Sequence, residues 1–220
     1  MQNLDAITEK IRLDFDARTA ARDQALAQAR ILTRHAAHAI RAVHRDEHAL
    51  ALEHIGAAKT LAEELRSGLR PYPDLLFAGY TQDALKEFVE ASITYALVNN
   101  ADLPSPEDLE VESATYLNGL AEVTGELRRR CLDILRQGYS NEAERLLGCM
   151  DDIYNVLVTL DYPDAITNGL RRQTDLARGI VERTRGDLTI SLREQHLQQS
   201  LARLSAQLSD QEPHEDYPGV

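Results

Sequence analysis

The chain has 220 residues, 43% of them hydrophobic, and a formal net charge of −12. That length affords a sizeable core, in one large helical domain or two small ones. The absence of any apolar run of about 18 residues excludes a membrane-spanning helix, and the overall acidity argues against nucleic-acid binding by bulk charge alone.

The first element in chain order is one long helix from Leu4 to Val43. It has no Pro or Gly, and Leu26, Ala29, Leu32, Ala36, Ala39, Ile40 and Val43 fall at helical spacing. Its start, MQNLDAITEKIRLDFD, is charged and lacks the apolar segment of a secretory signal. On a helical wheel Arg30, Arg34, His38, Arg41, His44, Arg45 and His48 fall within an arc of roughly 120°. That stripe is either a solvated charged face or a phosphate-facing one. His35 and His54 add to the histidines of this region, and His44 and His48 are four residues apart. Without HEXXH, the pattern favours surface or phosphate-contacting histidines over metal ligands.

A second helix is expected over about Asp46–Leu69, stopped by Gly68 and Pro71, followed by a turn at Pro71–Pro73. A third helical region runs from about Asp74 to Asn99, broken near Gly79, with Thr81 as the N-cap of its second part. The stretch from Asn99 to Asp108, NNADLPSPED, is a loop. Tyr116–Arg136 is an amphipathic helix in which Glu122 and Glu126, four apart, share the polar side. Ser140 caps a helix to about Leu160. After a turn at Asp161–Pro163, a helix or helix pair runs from Asp164 to about Leu208, with Gly169, Gly179 and Gly186 as weak points. Cys131 and Cys149 lie at apolar helical positions and read as buried free thiols, which suits the cytoplasm. Together these elements predict an all-α, single-domain bundle of about six or seven helices over residues 1–208, with a polar, disordered tail over 209–220.

No phosphate loop, nucleophile elbow or zinc spacing is present, which leaves carboxylates as the chemistry-bearing groups. Glu87 and Glu90 lie at i, i+3 on one helix, and Glu122 and Glu126 at i, i+4 on another. If those helices pack side by side, four oxygen donors converge on a site for magnesium or manganese. Such an ion polarises a phosphodiester and lowers the pKa of water. The spacing alone leaves a solvated acidic face as the alternative.

Three stretches carry a resemblance. LKEFVEA at Leu85–Ala91 and YLNGLAEVTGELRRR at Tyr116–Arg130 are similar to LQEYVEA and YLLGVADLTGELMR of the translin family's Trax (translin-associated factor X) branch. More loosely, ARDQALAQARILTRHAAHAIRAVHR at Ala21–Arg45 resembles that family's Arg-dotted first helix. The resemblance implies a translin-like helical fold, assembly into a homo-oligomeric shell (an octamer), and binding of single-stranded RNA and possibly single-stranded DNA. It also implies magnesium- or manganese-dependent endoribonuclease activity. Glu87, Glu90 and Glu122 then stand at the catalytic, metal-binding positions, with Glu126 as a fourth ligand or a supporting group. At Glu122 the family pattern has Asp, so this chain reaches one methylene further. Lys86 stands where the pattern has Gln and supplies a local cation. Arg30, Arg34, Arg41, His44 and Arg45 are the expected nucleic-acid contacts. The alternative is a non-catalytic, translin-like nucleic-acid binding protein.

Overall fold

The computed structural model describes residues 3–209, which are all-α. In chain order the helices are α1 (Leu4–His44), α2 (His48–Leu69), α3 (Pro73–Leu76), α4 (Gly79–Val98), α5 (Pro106–Leu109), α6 (Ser113–Leu135), α7 (Asn141–Leu157), α8 (Asp164–Thr167) and α9 (Leu170–Ser209). Six are long, and α3, α5 and α8 are single turns. The tail expected over 209–220 lies, apart from Ser209, outside the described residues.

The local chemistry of each boundary is legible. The reversal between α1 and α2 is taken by Asp46 at φ +58°. Asp tolerates that left-handed conformation better than most residues. Arg130 of α6 holds this turn, its guanidinium donating to both Asp46 carboxylate oxygens at 2.6 and 3.2 Å and to the His44 carbonyl. The region expected as a third helix divides into α3 and α4, separated at Phe77–Ala78 just before Gly79. Ala78, not Thr81, is the N-cap of α4. Thr81 is buried within the helix, and its hydroxyl donates to the Leu75 carbonyl at 2.8 Å. The proline-containing loop gains a single turn, α5, because Ser105 and Asp108 form a reciprocal capping box. Ser140 does cap α7, accepting from the Glu142 amide. Asn168 (φ +51°) and Gly169 (φ +86°) end α8, whereas Gly179 and Gly186 lie within the uninterrupted α9.

The helices assemble as a row. α2 and α4 pack on α1, α6 packs on α4, and α7 and α9 close over α6. The core runs through Leu32, Leu65, Phe88, Ile93, Leu127, Met150 and Leu188, all essentially without solvent contact. α4 is the most enclosed element; even its polar Ser92 and Thr94 are buried. Its approach to α6 is set by Gly119. A Cβ there would lie 2.8 Å from Val89 Cγ1 and 3.1 Å from the Lys86 carbonyl oxygen, so only glycine admits this spacing. Gly125, further along α6, has open space around it. Cys131 is buried, Cys149 is half-buried, and both are free thiols.

Both ends of the described chain project beyond the bundle. Leu4, Ile7, Ile11 and Phe15 of α1 are exposed, as are Ile190, Leu197, Leu201, Leu204 and Leu208 of α9. No helix among the described residues is long and apolar enough to cross a membrane.

Candidate functional site

The close contact at Gly119 brings the carboxylates of α4 and α6 together. Glu87 and Glu90 project from one face of α4, and Glu122 follows Gly119 by one helical turn on α6. One carboxylate oxygen from each of the three lies within 4.8 Å of the others. Glu90 is the most enclosed, at 9% exposure. Burial, and then the charges of Glu87, Glu122 and Glu126, push its pKa up to about 8. Burial followed by the Glu122 charge also raises Glu87. Partial desolvation and like-charge repulsion both oppose ionisation here.

Glu122 is held from two sides. Its Oε1 accepts from Lys86 Nζ at 2.8 Å and from Gln173 Nε2 of α9 at 2.9 Å. Burial pulls the Lys86 ammonium down, but its hydrogen bond to Glu122 and the charges of Glu122, Asp83 and Glu87 raise its pKa on balance. Lys86 is thus an internal cation beside the acids, as its place next to Glu87 suggests. Gln173 carries no sequence signal, because it lies 51 residues from Glu122 and in a different helix.

Glu126 does not join the three-carboxylate group. Its Oε2 accepts a 2.5 Å hydrogen bond from His44 Nε2, and Arg129 lies 3.8 Å away. This geometry also corrects the reading of His44 as a nucleic-acid contact. The His44 side chain is 4% exposed, and its Nδ1 is buried without a partner. His44 lies on the flank of the α1 stripe that turns toward α6, so it faces the bundle rather than solvent.

The other predicted contacts are all exposed, Arg30, Arg34 and Arg41 along α1 and Arg45 at its C-cap. Arg30 and Glu87 line one cavity of 320 Å³ between α1 and α4, together with Thr33, Tyr80 and Asp83. The basic face and the acidic cluster therefore adjoin. His38 belongs to the same face. Partial desolvation, then Arg41 and the neighbouring histidines, hold its pKa below the ordinary value, so His38 adds little positive charge near neutral pH.

The three-carboxylate donor set suits a hard divalent cation, which prefers oxygen ligands. A bound cation would offset the repulsion that holds Glu90 protonated, so the residues present fit such an ion. Fold and site together define an all-α bundle with a carboxylate cluster at the foot of an arginine-lined helix.

No protein-family model matches the sequence. An uncharacterised protein of Methanocaldococcus jannaschii is 32% identical over 193 residues, covering 86% of this chain and 85% of that protein. AfC3PO in complex with duplex RNA superposes with a TM-score of 0.80 at 33% identity, over 85% of this chain and 97% of that one. AfC3PO alone gives 0.79 at the same identity and coverage. Apo-NeC3PO, at 20% identity, shares the fold with a TM-score of 0.75 over 87% of this chain and 98% of that one. The chain belongs to the C3PO, or translin, family.

Proposed function

We propose that this protein is a Trax-like, magnesium- or manganese-dependent endoribonuclease that holds RNA against its α1 helix. The observation that carries the proposal is the convergence of Glu87, Glu90 and Glu122 within 4.8 Å, beside a cavity that Glu87 shares with Arg30. The duplex-RNA complex of the similar AfC3PO supports RNA as the ligand class. Arg30, Arg34, Arg41 and Arg45 engage phosphates by their charge and forked donors. With few aromatic residues available for base stacking, contact to the backbone dominates and sequence preference is low. Single-stranded DNA presents the same backbone chemistry and binds on the same face.

Glu87, Glu90 and Glu122 would hold the cation. When bound, it supplies positive charge that polarises a phosphodiester and lowers the pKa of water. Lys86 and Gln173 fix the orientation of Glu122, and His44 fixes Glu126 behind it. The exposed apolar residues of α1 and α9 support assembly with further copies of the chain. Leu197, Leu201, Leu204 and Leu208 alternate four-three-four, the spacing of a helix seam. Such a shell, an octamer on the family pattern, would enclose the basic faces and turn the acidic remainder to solvent. The two free thiols support a reducing compartment, the cytoplasm.

One observation favours a second reading, a binding protein without catalysis: Lys86 already occupies Glu122 as a counter-ion. Incubating labelled RNA with the protein in magnesium or manganese, and then in EDTA, separates the two. The nuclease reading predicts metal-dependent cleavage that E87A and E90A abolish while RNA binding and assembly persist. Cleavage persisting in the purified double variant refutes the proposed site. RNA binding without metal-dependent cleavage across several RNAs establishes the second reading.

A further inference from the structure

Three histidines gather on the other flank of α1, at its seam with α2, two with facing nitrogens and the third with its ring alongside. Nδ1 of His35 and Nδ1 of His54 face each other at 3.2 Å. Their rings meet edge to face with centroids 5.2 Å apart. The His38 ring, nearly one helical turn along α1 from His35, stands 5.1 Å from that of His54. The sequence weighed a different pair, His44 and His48, for ligand spacing. The structure separates that pair, turning His44 to Glu126 while His48 opens α2 in an exposed position.

Two imidazole nitrogens 3.2 Å apart either share one proton or share one metal ion. Zinc–nitrogen bonds of 2.0–2.1 Å at a tetrahedral angle place two such nitrogens about 3.3 Å apart. The separation found between His35 and His54 therefore requires little rearrangement for both to bind one ion. Among the described residues no carboxylate pairs with His35, His38 or His54. The all-nitrogen character of the cluster excludes magnesium and calcium, which take oxygen donors. Arg34 and Arg41 act electrostatically on His38 and oppose any cation, so only an ion held by strong nitrogen bonds can occupy the seam.

The geometry points to a transition-metal site, for zinc or copper(II), formed by His35 and His54 and completed by a side-chain rotation of His38. Imidazole suits both ions, and copper(II) binds the more tightly in the usual affinity order. The bound ion clips α1 to α2 beneath the arginine face. This site is independent of the carboxylate cluster and of any nuclease activity.

The test is calorimetric titration of the full-length protein with Zn2+ in excess Mg2+, which keeps the carboxylates occupied. Copper(II) electron paramagnetic resonance on the same protein reads nitrogen coupling directly. H35Q and H54Q should each weaken zinc binding by about tenfold or more, since even supporting residues of metal sites have effects of that order. H38Q should weaken it as well, and E90Q should leave it unchanged. Circular dichroism checks the fold of each variant, and H35Q and H54Q are independent tests should one of them not fold. Zinc affinity unchanged in H35Q and H54Q overturns the site, as does zinc binding that E90Q abolishes and the histidine variants keep. Unchanged affinity in H38Q overturns the three-ligand form.

Discussion

Glu90→Gln should stabilise the metal-free protein at neutral and alkaline pH, and hardly at all at pH 5 or below. Glu90 is 9% exposed, and burial with three neighbouring carboxylates moves its pKa from 4.5 to about 8. Because the folded value lies above the unfolded one, Glu90 imposes no penalty below about pH 4.5. The penalty then grows as pH rises toward 8 and levels off above it. At about 1.4 kcal/mol per pH unit, that interval sets a ceiling of about 5 kcal/mol. Glutamine keeps the shape and removes the charge. For a chain of this size each kcal/mol corresponds to roughly 2–4 °C in Tm. Recovery of even half the ceiling raises Tm by roughly 5–10 °C at pH 8.5, with the two proteins nearly equal at pH 5. The assay is thermal unfolding in EDTA at both pH values. Adding Mn2+ at pH 8.5 should then stabilise the wild type by about 2.7 kcal/mol at a hundredfold excess over Kd, and E90Q by far less. Equal Tm values at both pH values in EDTA would refute the placement of Glu90 in a desolvated, like-charged cluster.

The two glycines of α6 should respond in opposite directions. Gly119→Ala forces Val89 or the Lys86 backbone to move and should cost about 1–3 kcal/mol, whereas Gly125→Ala, in open space, should gain up to about 1 kcal/mol; urea unfolding measures both. Lys86→Gln removes the ammonium that pairs with Glu122. The pair is partly exposed and worth about 1 kcal/mol, so Mn2+ affinity measured by calorimetry should rise roughly fivefold. Replacing Arg30, Arg34 and Arg41 with Gln should lower the slope of log K against log salt for RNA by about one per arginine that contacts a phosphate, and an unchanged slope places RNA elsewhere. L201E with L204E should reduce the assembly to smaller species in light scattering, and an unaltered mass excludes this face of α9 from assembly.

Much of the fold was legible because helix signals are local. An uninterrupted α1, a break before Gly79 and a cap at Ser140 follow from residues within one or two turns of each feature. Glu87 with Glu90, and Glu122 with Glu126, were likewise legible as pairs on their own helices. Helical periodicity could not decide which member of a pair faces its neighbour. Glu122 turns to α4 and meets Glu87 and Glu90. Glu126, one turn further on, meets His44 of α1 instead.

What the sequence by itself determined was the all-α class, the course of the long helices, and an arginine-bearing α1. Each depends on spacing along one segment, where 3.6 residues per turn sets every side chain's angle about its own axis. Only tertiary structure decided what each angle points at. It drew α6 onto α4 at Gly119, buried His44 against Glu126, brought Gln173 to Glu122 across 51 residues, and set His35 against His54. These are contacts between helices, and their partners are chosen by packing across the core, a distance over which periodicity carries no information.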